Sequence, residues 1–149
     1  MEIAQLIETD RIILGLEAKD KSDLLSMIAQ KASHYSGIAA DTILQALAKR
    51  ESFGSTGIGR GIAIPHTAIK GLKNSLGFFV RLAHPIEFEA VDAQPVDLVF
   101  LLLTPPAFAK ENVGALAAIS RRLRDPEVLK ALRGAKTAQE AHRWLTGLS

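Results

Sequence analysis

The chain has 149 residues, close to the roughly 150 expected of one domain. It is 48% hydrophobic and 23% charged, enough apolar surface for one core, which excludes a disordered polymer. With no cysteine and a net charge of +2, it excludes disulfide scaffolds, thiol catalysis and thiolate metal sites, and argues against a nucleic-acid partner.

The N-terminal third is helical by pattern. Asp20 precedes Leu24, Leu25, Ile28 and Ala29 at helical spacing, and Gly37 is a stop signal. A second helix is predicted from about Asp41, with Ile43, Leu44, Leu47 and Ala48 on one face and Arg50 and Glu51 towards its end. The Gly-dense stretch Gly54 to Gly61 reads as a shaped loop. The middle third is strand-like: Gly61-Ile62-Ala63-Ile64, cut by Pro65, then Leu76 to Leu82, then Leu98 to Leu103 before Pro105-Pro106. Continuous apolar runs of this kind suit strands covered on both faces. The longest uninterrupted aliphatic-aromatic run, Leu98 to Leu103, is six residues, far short of a membrane span.

Helix returns in the last third. Val113, Leu116, Ala117, Ile119, Ser120 and Leu123 follow Asn112 as the expected buried stripe, with Arg121, Arg122 and Arg124 near its C-terminus. Asp125-Pro126-Glu127 opens another helix, and Thr137-Ala138-Gln139-Glu140 is a capping box before the last, which holds Trp144. The pattern predicts an α/β single-domain sandwich over residues 1–149, its mixed sheet flanked by helices on both faces. Met1-Glu2-Ile3 has no basic leader, and the expected location is cytoplasmic, without membrane insertion.

The chemistry concentrates between Arg50 and His66. Four glycines fall within the eight residues from Gly54 to Gly61, a composition that turns tightly and aims N–H groups into a concavity. Ser55 and Thr56 add hydroxyls. The P-loop pattern fails because Arg60 and Gly61 stand where Lys and Ser/Thr belong. The dinucleotide pattern fails because Ile62 takes the third glycine's place and a strand follows. His66 stands directly after Pro65, at the end of the expected strand. A lone His after Pro reads as a turn residue. Beside N–H donors, hydroxyls and Arg50, it becomes a candidate to take a phosphoryl group and pass it on.

The run Arg50-Glu51…Gly54-Ser55-Thr56-Gly57-Ile58-Gly59-x-Gly61-Ile62-Ala63-Ile64-Pro65-His66 resembles the active-site signature of fructose/mannitol-type (type 2) enzyme IIA domains of the bacterial phosphotransferase system. Residues 85–98 and Ile119 to Asp125 resemble the nitrogen-regulatory branch. The resemblance implies a phosphohistidine at His66, through Nε2, with phosphate arriving from a phospho-HPr-like carrier. It implies phosphate stabilisation by Arg50 and an anion pocket from Ser55, Thr56 and Gly57. Asn112 stands where the family usually has a second histidine; its amide can donate to phosphate but cannot become cationic. Thr67 replaces the glycine that commonly follows the active histidine. No cofactor or metal is implied. Sensor kinases or potassium transport proteins are the implied regulatory partners. Onward transfer to a fructose/mannitol-type enzyme IIB, a regulatory module without transfer and non-covalent anion binding are the alternatives.

The other histidines have structural readings. His34 is expected to cap helix carbonyls, His84 to lie solvated in a turn, and His142 to lie on the surface. Glu51 either orients Arg50 or caps the surface, and Asp92 and Asp97 have turn and strand-edge roles.

Overall fold

Asp20 starts the first helix as expected. Its side chain accepts the Asp23 amide at 2.8 Å, and Gly37, at φ 74°, closes the other end. The computed structural model describes residues 2–147. Its helices are α1 (Lys21–Ser36), α2 (Ala40–Ser52), α3 (Ala109–Arg122), α4 (Pro126–Gly134) and α5 (Ala138–Thr146). Its strands are β1 (Ile12–Leu16), β2 (Gly57–Gly59), β3 (Ile62–Ala63), β4 (His66–Ala68), β5 (Leu76–Ile86) and β6 (Val96–Thr104).

One mixed sheet runs in the order β1-β5-β6-β3-β2, and β4 also pairs with β6. β5 and β6 are antiparallel, whereas β1 lies parallel to β5, and β3 and β4 lie parallel to β6. The long central strands alternate between two cores. Phe78, Val80, Val99, Leu101 and Leu103 pack with α1 and α2. Phe79, Leu98, Phe100 and Leu102 pack with α3, α4 and α5. The sheet is therefore covered by helices on both faces, and β6 is apolar from Leu98 to Leu103 for that reason.

Several expectations are corrected. The N-terminal third is not all helix, because Ile12–Leu16 pairs with Phe79–Leu82 as an edge strand. The glycine stretch is not only loop, since β2 folds back antiparallel on β3. His84 lies within β5, exposed, and not in a turn. α3 begins before Asn112 and rotates the expected stripe: Ala115, Ile119 and Leu123 are buried, while Val113 is 69% exposed and Ala117 faces solvent. In α2, Ile43 and Leu47 are buried but Ala48 is exposed.

Capping in the second helical layer is shared with the rest of the fold. Asp125 accepts the Glu127 amide at 2.9 Å with Pro126 in the first turn of α4. Thr137 accepts the Glu140 amide at 3.1 Å, while the Glu140 carboxylate takes the Lys136 amide, one residue before the position a reciprocal box would use. Arg81 of β5 reaches the C-terminus of α4, donating to the carbonyls of Leu132 and Ala135 at 2.9 and 2.7 Å. His142 is not a free surface residue, because its half-buried ring lies 3.1 Å from the Ile7 carbonyl through Nε2. His34 is exposed and stands edge-on to Tyr35.

Candidate active site

The site begins where α2 runs out. Arg50 sits in its last turn and donates from Nη1 to the Gly54 carbonyl at 2.9 Å, which folds the guanidinium over the start of the glycine loop. Glu51, beside it, turns inward. Its carboxylate accepts the Thr56 amide at 3.1 Å, the Thr56 hydroxyl, and Lys21 Nζ at 2.8 Å. Neither role expected of Glu51 is the observed one. It neither contacts the Arg50 guanidinium through a hydrogen bond nor caps the surface, because its side chain is 6% exposed.

Beyond Thr56 the loop needs glycine for space. A Cβ on Gly57 would lie 2.8 Å from the Ala90 Cβ. The Ser55 hydroxyl donates to the Phe88 carbonyl at 2.6 Å and accepts the Gly57 amide at 3.0 Å. The two hydroxyls and the amides of Thr56 and Gly57 are thus already engaged.

Pro65 separates two strands that both run along β6. β3 pairs with Leu98 and Val99, and β4 with Leu102 to Thr104. His66 therefore opens a strand as well as following one. Its Nδ1 lies 2.7 Å from the Ile64 carbonyl. A carbonyl only accepts, so Nδ1 carries the proton and Nε2 keeps its lone pair. Burial lowers the His66 pKa below the usual imidazole value, and the Arg50 charge lowers it further. The Ile64 carbonyl and the Glu51 charge oppose that shift. The half-buried ring is neutral at neutral pH, with a lone pair on Nε2.

Register divides the neighbouring residues between the two faces. His66 pairs with Leu102, which belongs to the face under α3. Thr67 pairs with Leu103, on the α2 face. Thr67, Ala68, Ala46, Lys49, Arg50 and Phe53 line an open cleft of about 420 Å³. Arg50 and Thr67 thus share a cleft that His66 does not line, yet the Arg50 charge is felt at the imidazole. Asn112 lies in α3, and its Oδ1 is buried without a hydrogen-bond partner.

The family model described as phosphoenolpyruvate-dependent sugar phosphotransferase system, EIIA 2, matches residues 5–147. The chain belongs to that family. A nitrogen regulatory protein of Bradyrhizobium diazoefficiens is 40% identical to this EIIA 2 chain over 139 residues, covering 93% of it and 91% of the relative. The nitrogen regulatory protein of Escherichia coli is 36% identical over 147 residues, covering 98% and 90%. Among solved structures, nitrogen regulatory protein IIA-Ntr from Neisseria meningitidis superposes with a TM-score of 0.93 at 30% identity, covering 97% of this chain and 99% of that one. The mannitol IIA of Escherichia coli shares the fold, with a TM-score of 0.76 at 19% identity over 93% and 98% of the two chains. This is an EIIA 2 protein of the nitrogen-regulatory branch.

Among the described residues of this EIIA 2 chain, no group of three or more His, Asp or Glu side chains is placed to hold a metal. No helix among them is long and apolar enough to cross a membrane. Two features of the site escape sequence reading. Lys21 reaches Glu51 from the first residue of α1, across 30 positions that carry no local signal. Phe53, 79% exposed at the rim of the cleft, looks like an ordinary helix-end residue in the sequence.

Proposed function

We propose that His66 Nε2 accepts a phosphoryl group from a phospho-HPr-like carrier, and that the phosphorylated state regulates partner proteins. The observation that carries this reading is the Nδ1–H···O=C bond to Ile64, which leaves Nε2 as the free nucleophile. Nε2 forms a bond to phosphorus as the donor's nitrogen–phosphorus bond breaks, and the donor imidazole leaves with that electron pair. The proton on Nδ1 stays where it is. The product ring is then cationic, with Ile64 as its acceptor, and remains a good leaving group for a second transfer.

In a loose transition state the main demand is charge neutralisation on the phosphoryl oxygens. Arg50 supplies the cation in this reading. The Thr67 hydroxyl serves phosphate from the α2 face, and the Asn112 amide donates from the α3 side without supplying a second charge. The Ser55 and Thr56 hydroxyls and the Thr56 and Gly57 amides act by shaping the loop, because they are already engaged on Phe88, Glu51 and Ser55. The cytoplasm is the compartment where such a carrier is met, and sensor kinases or potassium transport proteins are the partner classes.

Incubation with phosphoenolpyruvate, the first enzyme of the system and its HPr-like carrier is expected to add the mass of one phosphate. His66→Ala abolishes the adduct, and Arg50→Ala slows it without unfolding the chain. Equal labelling of His66→Ala and the parent would sink the assignment. A second reading, onward transfer to an enzyme IIB, draws on a fructose-specific EIIA component of Haloferax volcanii that is 36% identical over 99 residues. Chasing the phosphorylated protein with a IIB acceptor separates the two.

A further inference from the structure

Glu51 has no place in the phosphate-binding scheme, yet it is the most enclosed acid around the loop. A carboxylate with a 6% exposed side chain requires compensation, and three donors supply it. Two belong to Thr56 and the third is Lys21 Nζ. Lys21 is in turn held over the Phe88 ring, 4.5 Å from its centroid, and the Phe88 carbonyl takes the Ser55 hydroxyl. Glu51 thereby joins the start of α1, the end of α2 and the glycine loop.

From this anchor a run of bonds leads to the imidazole. Glu51 grips Thr56 at both amide and hydroxyl. The Thr56 carbonyl accepts the Ile64 amide at 3.0 Å. The Ile64 carbonyl accepts the His66 Nδ1 proton at 2.7 Å. Pro65, between Ile64 and His66, has a fixed φ and its carbonyl accepts the Leu102 amide at 2.9 Å. Each link is a residue held at two or more points, so a shift at Thr56 has few ways to be absorbed before it reaches the ring.

We propose that Glu51 is a positioning residue for His66: through Thr56 and the Ile64 carbonyl it holds the imidazole as the Nδ1–H tautomer, with Nε2 aimed outward. An orienting carboxylate acts here at a distance of two residues instead of touching the ring. The inference rests on the reading of His66 as the phosphoryl acceptor. It goes further by assigning the source of the ring's tautomer and aim. Arg50 and Glu51, both from α2, are the charged groups whose fields act on the ring, in opposite directions. Loss of the Glu51 charge therefore also leaves the Arg50 effect unopposed.

The test compares the full chain with Glu51→Ala and Glu51→Gln. Ring-nitrogen NMR of ¹⁵N-histidine-labelled protein reads the tautomer with no phosphate present, and the imidazole titration reads its midpoint. The parent is expected to show Nδ1 protonated and Nε2 free. Glu51→Ala is expected to show a mixed tautomer, and both variants a midpoint lower than the parent's. Phosphorylation by the carrier is expected to slow at least about ten-fold in Glu51→Ala, as misaimed nucleophiles do. Glu51→Gln keeps an acceptor oxygen for Thr56 and is expected to lie between. A folded variant with the parent's ring-nitrogen shifts and midpoint would overturn the proposal. If Glu51→Ala does not fold, Glu51→Gln decides by its ring-nitrogen shifts: a mixed tautomer supports the proposal and the parent's shifts overturn it. A parent that shows the tautomer but never accepts phosphate would remove the acceptor reading and leave the positioning result standing.

Discussion

His66 is held in a state that costs the folded chain something in acid. Burial and the Arg50 charge lower its pKa below the 6.5 of a free imidazole, against the Ile64 carbonyl and Glu51. The folded protein therefore binds that proton less readily than the unfolded chain does. Between the lowered folded value and 6.5, the unfolded state carries more protons, so stability from this group falls as pH falls through that window. Above the window the group has no effect, and below it the loss is complete. His66→Gln is expected to flatten the slope of unfolding free energy against pH in that window, measured by denaturant titration. An unchanged slope would show that the ring titrates as if free. The same shift keeps Nε2 nucleophilic into mildly acidic solution.

The β2–β3 hairpin shows how an element is fixed by residues outside it. Arg60, between two glycines, adopts φ 59°, unusual for a residue with a side chain. Three contacts hold it there: its amide donates to Asp92 at 2.9 Å, its guanidinium to the Arg124 carbonyl at 2.8 Å, and its carbonyl accepts Arg133 at 2.6 Å. Asp92, accepting from the Arg60 and Gln94 amides, has its pKa held below the usual carboxylate value. Arg133 also makes a two-pronged pair with Asp97, both distances 2.9 Å. Gly61 lies under that fork at φ 80°, and a Cβ there would meet Arg133 Nη2 at 2.6 Å and Asp97 Oδ1 at 2.7 Å. Gly61→Ala is expected to cost about 2 kcal/mol or more, from backbone strain plus the displaced ion pair. Asp125→Ala, which removes one helix cap, is expected to cost about 1 kcal/mol. Chemical denaturation checks the order; a harmless Gly61→Ala would mean the fork yields freely.

At the scale of the molecule, β6 belongs to both cores. Phe100 is fully buried against α3–α5, and Leu101 is fully buried against α1 and α2. Neither helical layer can lose its sheet face without the other losing it too. Phe100→Ala is expected to cost about 3–5 kcal/mol and Leu101→Ala about 2–5 kcal/mol. Each is expected to lower one shared transition. Trp144 fluorescence, reporting on the α5 layer, and far-ultraviolet circular dichroism are expected to give coincident denaturation curves. Separate transitions for the two layers would refute this coupling.

Local sequence determined the elements that carry their own signals. Asp20 and Gly37, Asp125-Pro126, and Thr137 bracket helices through short-range side-chain and backbone geometry. Leu76 to Leu82 and Leu98 to Leu103 are long apolar runs that only a doubly covered sheet can bury. The run from Arg50 to His66 placed the candidate chemistry, because an arginine, a glycine loop and a histidine lie close together along the chain. Tertiary structure decided the rest. β1 is five residues with mixed burial, and it becomes a strand only because β5 offers a parallel edge far along the chain. The rotation of α3 that exposes Val113 depends on which face meets β6, not on the spacing of apolar residues. Glu51 looks like a surface acid beside Arg50, and only the arrival of Lys21 and Thr56 allows it to be buried. Periodicity and caps act over a few residues. Pairing partners, the facing of a helix and the neutralisation of a buried charge are set by groups that only folding brings together.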